Sequence, residues 1–501
     1  MTRLFKMYDW GTDLQGRYGV PVGAVHHWAW DDLEPRQGQY NWAKVDQAME
    51  KEIALGKAVM ARIIMHYSSS SRPGYPANTY LDATPDWVYA GGVPHKAFRG
   101  RKVGHVIVDA HGRENPIPAY DQRRWQDCYL DFVDAFATRY DSALAAVVIS
   151  AGLDGETQPA KHEAMRAIQQ GGLYAGIEHR WGQFLDRAID MYADVFTDAT
   201  ALLNNAPGGQ ARRSRAEKIA ALDREGCNVG LQHSGLLPDI DSHSGWGSAF
   251  DGTPTVGSWD MMRELSGIVP LALESAHWIP GPLVEGHDSE VGYWSLHHGL
   301  TYRPDWIILH SDWFDKLTPE TLEWAHEHLG FDPPSAWTVL RDSEFEPSSW
   351  GRGGYQGMQG NYEFMLRQTN ASITPRVWRY ELPNEVHGAV ESRQCRKIDG
   401  VATFEIDPAF AREHDRFTVT VRCLRADSPM WQTVTFEVQG RQFEIEGEGL
   451  YIHRVWAFPV SEPEPEPEPE PGLSGIERVR VIVTLGDGSE WVLEGDAMRR
   501  Q

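Results

Sequence analysis

The sequence predicts a (β/α)8 TIM barrel followed by a C-terminal β-sandwich, and three observations carry that expectation. Strand-like and helix-like segments alternate over about the first 330 residues, as parallel strands joined by crossover helices require. Eight such units fit that length, which favours a closed barrel over a doubly wound sheet. After Pro334 the helical period disappears and two-residue alternation replaces it.

VPVGAVHHWAW (20–30) reads as the first strand, and AKVDQAMEKEIALG (43–56) as an amphipathic helix stopped by Gly56. KAVMARIIMHYS (57–68) is the second strand, and the irregular stretch 69–121 yields only a weak third at 104–109. Helix 123–140 leads to LAAVVISAG (144–152), the fourth strand. The pattern then becomes regular. Helices at 180–197, 211–226, 258–267 and 291–302 precede strands at 197–207, 227–235, 269–277 and 305–313, and helix 318–330 closes the series. No GxGxxG follows any strand, which weakens a dinucleotide-binding reading.

The barrel is therefore assigned to 1–335 and the sandwich to 336–501. RFTVTVRCL, QTVTFEVQG, RQFEIEGEG and RVRVIVTLG are strands of one half-buried sheet system. The Glu-Pro repeat at 461–472 lies between such strands and cannot pack, so it is expected as an extended, solvated loop.

A chain of 501 residues is long enough for two cores, and 41% apolar residues are enough to fill them. The net charge of −24 argues against nucleic acid and against an anionic membrane as partners. No run of apolar residues is long enough for a membrane span. MTRLFKMYDWG lacks the apolar core of a signal peptide, which leaves a cytoplasmic protein or a secreted one whose signal has been removed. The four cysteines show no metal-ligand spacing, and a pairing of Cys395 with Cys423 stays open. Neither a metal nor an organic cofactor is called for, and oligomeric state is left open.

In a barrel of this kind, chemistry sits at the C-terminal ends of the strands. Those ends carry His26, His27, Trp28, Arg62, His66, Glu156, Asn204, Asn205, Gln232, His233, Glu274, His277, His310, Asp312 and Trp313. Glu156 follows the fourth strand in SAGLDGETQPA, and Glu274 ends the seventh in VPLALESAH. Two carboxylates across one mouth are the minimum for breaking a glycosidic bond. One protonates the leaving oxygen; the other attacks the anomeric carbon or activates water. Asp154 is the rival acid, with its side chain expected to turn into the loop. A Glu after an apolar strand also caps helices or pairs with Arg, and that structural alternative stands beside both assignments.

The chain resembles clan A glycoside hydrolases, nearest to family 42 β-galactosidase-like barrels. WAWDDLEPRQGQYNWAKVDQAMEKEIALGKAVMARI is similar to their opening, TPDWV to their Pro-Trp loop, and PIPAYDQRRWQDCYLDFVDAFATRY to their approach to the fourth strand. The motifs cover about residues 20–160, and strand order extends the likeness to about 330. The resemblance implies hydrolysis of a β-linked oligo- or polysaccharide, with Glu156 as acid/base and Glu274 as nucleophile. It implies that Arg62 holds the nucleophile and that a sugar stacks on Trp313. Trp28, His66, Asn204, Asn205, His233 and His277 complete the expected sugar-binding set. One departure matters: the clan has Asn before the acid/base Glu, and here Gly155 stands there. That Asn holds the sugar 2-hydroxyl, a task left to Asn204 or Asn205. GLDGE is also similar to the acid loop of β-amylase, an inverting enzyme, so retention, inversion and a non-catalytic carbohydrate-binding barrel all stay open.

Overall fold

The computed structural model describes residues 2–7, 18–68, 80–160, 162–204, 212–237, 258–276, 279, 281–282, 286, 288–331, 335–340, 362–369, 377–378, 394–408, 410–411, 414–425, 432–460, 477–484 and 490–497. Asn205, His277 and the Glu-Pro repeat lie outside the described residues. The chain divides into two compact units. The first comprises 1–236, 261–277 and 302–315; the second comprises 237–260, 278–301 and 316–501.

Eight parallel strands of the first unit close into a barrel. They are β1 (Leu4–Met7), β2 (Val22–Ala29), β3 (Val59–Ile64), β4 (Ala146–Val148), β5 (Thr200–Asn204), β6 (Val229–Leu236), β7 (Leu271–Ser275) and β8 (Trp306–Leu309). The order around the barrel is β1-β8-β7-β6-β5-β4-β3-β2. The predicted fold class is what the chain adopts, but two strands were misassigned. The first barrel strand is Leu4–Met7, not 20–30. The weak strand at 104–109 is no barrel strand: His105–Val108 pairs in a hairpin with Glu114–Ile117. The two errors cancel in the count, so Glu156 and Glu274 still follow the fourth and seventh strands, while Arg62 moves from the second to the third.

The physical reason for the first miss is brevity. Leu4–Met7 is only four residues long, too short to show a period, yet it is hydrogen-bonded between β2 and β8. Closure of the sheet supplies partners on both edges, so little sequence is needed to hold it.

Inside the barrel, Phe5, Met7, Val25, Met60, Ala146, Val148, Leu202, Ala272, Trp306 and Ile308 form one apolar cluster. Gly23 makes room for it, because a Cβ there would meet the Phe5 ring at 2.4 Å. Outside the strands, an aromatic layer fills the space under α1 (Ala43–Ala54), α2 (Arg123–Tyr140) and α3 (Ile177–Val195). Trp30, Trp125, Tyr129 and Phe184 meet there edge-to-face or stacked at centroid distances of 5.3–5.9 Å. Glu34 of the LEP motif is buried in this layer, where it accepts from Trp30 Nε1 at 3.0 Å and Gly38 N at 2.8 Å. Its motif therefore closes a turn.

The second unit has its own core. Phe404 stacks on Phe443 at 5.3 Å among Val419, Val421, Ile452 and Val455. The strand Arg416–Arg425 lies between two stretches of the 28-residue strand Gln432–Pro459, with Val421 opposite both Val434 and Val455. Cys423 is a free, buried thiol, so the pairing with Cys395 is not made, and burial pushes this thiol up to about 12. Helices α4 (Glu290–Leu300) and α5 (Pro319–His328) belong to this unit as well.

Candidate active site

Strand side chains alternate faces, so the residue two beyond each apolar interior residue also points inward. Applied here, that rule builds a polar layer directly above the apolar one. Val25 leads to His27, Met60 to Arg62, Val148 to Ser150, Leu202 to Asn204, Ala272 to Glu274, and Ile308 to His310. On β6 the same face carries Gln232 and Ser234, the latter opposite Glu274 in register.

Glu274 is the centre of that layer. Its Oε2 accepts from Arg62 Nη2, from Gln232 Nε2 at 2.7 Å and from Ser234 Oγ at 3.2 Å. Asn204 Nδ2 donates in turn to Ser234 Oγ at 3.0 Å, so β5 supports the carboxylate through β6. The other oxygen, Oε1, faces His310 Nε2 at 3.6 Å. Burial pushes the Glu274 carboxyl up, but the Arg62 charge, followed by the His310 hydrogen bond and charge, outweighs it and holds the group well below the usual carboxylate range. Glu274 is therefore ionised, and one of its oxygens is saturated with donors. His27 is driven the other way: burial first, then the Arg62 charge, keeps its imidazole well below the ordinary value and neutral, against the pull of Glu274.

Glu156 sits on a tight loop after β4. After β4 the chain turns back on itself, with Glu156 N donating to Leu153 O at 2.9 Å and Leu153 N to Gln158 O at 2.9 Å. Gly152 is required, since a Cβ there would lie 2.3 Å from the carbonyl oxygens of Glu156 and Gln158. Asp154 and Gly155 are both left-handed, at φ +56° and +81°. A Cβ on Gly155 would approach Ser150 Oγ to 3.2 Å and Arg62 Cδ to 3.8 Å. Gly155 of this loop therefore packs near the aliphatic stem of Arg62. The positive φ and the close approach to Ser150 Oγ suit glycine at this position. Gln158 Nε2 donates to Glu156 Oε2. Asp154 turns into the loop, where Ser68 N and Ser68 Oγ each donate to it at 2.7 Å.

Several expected sugar-binding residues point elsewhere. Trp28 lies on the outward face of β2, stacked on His26 at 5.4 Å and packed against Phe136 of α2 at 6.0 Å. Trp313 has no exposed surface, and its Nε1 donates to Ala276 O at 2.8 Å, so neither ring offers a stacking face. His233 is fully buried with Nδ1 at 2.8 Å from Ser234 O, on the face of β6 opposite Gln232 and Ser234. His66 is buried against the Tyr120 hydroxyl at 3.1 Å. Asn204 is inward but serves Ser234. Gln232 was named at its strand end without a role and Ser234 was missed, and the inward-facing period along β6 was the signal that would have assigned both to the Glu274 carboxylate. Among the described residues, no group of three His, Cys, Asp or Glu side chains could hold a metal ion, and no helix is long and apolar enough to cross a membrane.

No protein-family model matches the sequence, and no curated protein sequence matches it. Among solved structures, it is similar to the catalytic domain of β-amylase from Paenibacillus polymyxa at 14% identity and a TM-score of 0.38, over 64% of this chain and 93% of that one. A psychrophilic family 10 endo-β-1,4-xylanase is similar at 14% identity and 0.33, over 62% and 85% of the two chains. A family 10 endo-β-1,4-xylanase from Gloeophyllum trabeum gives 8% identity and 0.36, over 66% and 96%.

Proposed function

We propose that the chain is a glycoside hydrolase that cleaves a β-linked oligo- or polysaccharide with Glu274 as nucleophile and Glu156 as acid/base. The observation that carries this reading is the state of Glu274: a buried carboxylate at the end of β7, kept ionised by Arg62 and His310. A nucleophile has to be ionised at working pH and aimed by donors on the oxygen that does not attack. Glu274 meets both conditions, with three donors on Oε2 and with Oε1 3.6 Å from His310 Nε2.

The reaction then runs in two steps. Oε1 of Glu274 attacks the anomeric carbon while Glu156 gives its proton to the departing glycosidic oxygen, leaving a glycosyl ester on Glu274. Glu156, now a carboxylate, takes a proton from water, whose oxygen attacks the same carbon and releases Glu274. Arg62 compensates the charge that returns to Glu274 in the second step. The likeness of 20–160 to family 42 barrels belongs to this reading as analogy alone.

The test is hydrolysis of a panel of aryl β-glycosides and β-linked polysaccharides by wild type, Glu156→Gln and Glu274→Gln. Glu156→Gln is expected to lower kcat by about 10²–10⁴-fold, the range for a lost general acid. Glu274→Gln is expected to abolish turnover. Full activity in either variant would sink the assignment, and Asp154 would be substituted next.

A further inference from the structure

We propose that the hairpin 96–103 is a cationic subsite at the rim of the barrel mouth, and that the polysaccharide it recruits is anionic, carrying carboxylate or sulfate groups. The proposal rests on the glycosidase reading above and names the substrate class of that site.

Charge sets this hairpin apart. The whole chain carries a formal charge of −24, yet from Trp87 to Val108 it holds four Lys or Arg and no Asp or Glu. Lys96–Phe98 and Arg101–Val103 are the two strands, with Arg99 and Gly100 at the tip, both left-handed at φ +48° and +80°. Asn-Gly or Gly-Gly is the usual pair for such a turn. Arg99 instead holds a cation at the tip, its guanidinium 5.0 Å from the centre of the Phe98 ring. Val103 is buried and Arg101 pairs with Asp31, so Lys102 between them takes the outer face, while Lys96 and Arg99 are exposed. Among the described residues, no carboxylate pairs with Lys96, Arg99 or Lys102.

The fold ties these cations to the catalytic end of the barrel. The segment between β3 and α2 leaves the C-terminal end of a barrel strand, the end that carries Glu274. Arg101 Nη2 donates at 2.6 Å to Oδ2 of Asp31, two residues past the end of β2. Gly104, at the foot of the hairpin, donates its N–H to Asp82 Oδ2 at 3.0 Å. Asp82 lies opposite His66, which bridges to Leu153 of the loop carrying Glu156. At physiological ionic strength, charges are screened beyond about 8 Å. A polymer segment at this rim therefore feels the hairpin more than the acidic remainder of the surface. Guanidinium and ammonium groups match carboxylate and sulfate oxygens, and on so acidic a protein an acid-free patch is where such a polymer can settle. Nucleic acid, the other common polyanion, calls for cations over a far larger face.

The test compares wild type with the triple reversal Lys96→Glu/Arg99→Glu/Lys102→Glu and with the neutral triple Lys96→Gln/Arg99→Gln/Lys102→Gln. Hydrolysis is read on polymannuronate, chondroitin sulfate and carrageenan, and on neutral β-xylan, β-galactan and β-glucan. Binding is read by retardation in gels containing each polymer, where polymannuronate and carrageenan separate the carboxylate from the sulfate. Wild type is expected to bind an anionic polymer and to cleave it in preference to the neutral ones. The reversal is expected to lower kcat/KM on that polymer about 10-fold or more through KM, and to leave a small neutral aryl β-glycoside within about twofold. Raising salt from about 0.1 to about 1 M shortens the Debye length from about 10 to about 3 Å and should weaken the wild type but not the reversal. A preference for a neutral polymer, or no loss on the anionic polymer in either triple variant, overturns the proposal while the glycosidase reading stands. Equal losses on polymer and aryl glycoside in both variants overturn it as well, as does tighter retention of duplex DNA or anionic vesicles by the same cations. If wild type cleaves no glycoside, the functional reading fails, and the gel retardation alone decides whether the subsite exists.

Discussion

Glu274 and Asp82 are two buried carboxylates of the same unit, and their acidities are moved in opposite directions. Glu274 lies in the polar layer of the barrel, against the Arg62 guanidinium and His310, and is held ionised. Asp82, on the strand Tyr80–Asp82 that pairs with His66–Ser68, receives only neutral donors: Thr84 N at 2.9 Å, Gly104 N at 3.0 Å and the Tyr89 hydroxyl. Burial wins there and pushes its carboxyl up to about 6. Asp288, in the second unit, repeats the pattern with Thr318 N at 2.5 Å and Thr321 Oγ1 at 2.6 Å, and it too rises to about 6. At Asp82 and Asp288, hydrogen bonds from neutral donors do not offset the cost of burial. At Glu274 the Arg62 charge does.

The comparison can be broken most severely at Arg62. Arg62→Met strands a buried charge on Glu274, and removal of one partner of such a pair costs about 3–5 kcal/mol. The sign with pH is specific. In wild type the depressed Glu274 pKa contributes stability that is present above the unfolded value, about 4.3, and is lost as pH falls through the folded value. In Arg62→Met the folded pKa lies above the unfolded one, so the deficit should shrink on acidification. Urea unfolding at pH 5 and pH 8 checks this, and an equal deficit at both would contradict it.

Asp82→Asn sharpens the other half. The raised Asp82 pKa contributes stability that is complete below about 3.9 and is lost as pH rises through about 6. Wild type should therefore lose on the order of 2–3 kcal/mol relative to Asp82→Asn between pH 4 and 7. Parallel stability profiles would show that burial does not raise the Asp82 carboxyl. The smallest effect is expected at Ser234, one of three donors on Oε2 and the acceptor for Asn204. Ser234→Ala should cost about 1 kcal/mol and lower kcat roughly fivefold, with KM nearly unchanged. A silent Ser234→Ala would place the aiming of Glu274 on Arg62 and Gln232 alone.

How much of this could be read from sequence depends on which property each residue expresses. Alternation of strand and helix revealed the barrel class, because it depends on long runs. β1 was missed since four residues carry no period, and 104–109 was mistaken for a barrel strand because a hairpin has the same local alternation. Strand ends located Arg62, Asn204, Glu156 and Glu274, but position along a strand says nothing about which face a side chain takes. Trp28 and His233 sit one step off the inward register and so pack outward, while Gln232 and Ser234 beside them reach the carboxylate. Gly155 takes a left-handed backbone conformation that no sequence period signals.

The central claim is that Glu274 is the attacking carboxylate, and covalent trapping tests it most directly. The wild type is incubated with a panel of activated 2-deoxy-2-fluoro β-glycosides, and the labelled peptide is identified by mass spectrometry. The account predicts a single glycosyl ester on Glu274, absent in Glu274→Gln. A label on Asp154 or Glu156, or turnover with inverted product and no label, would contradict it.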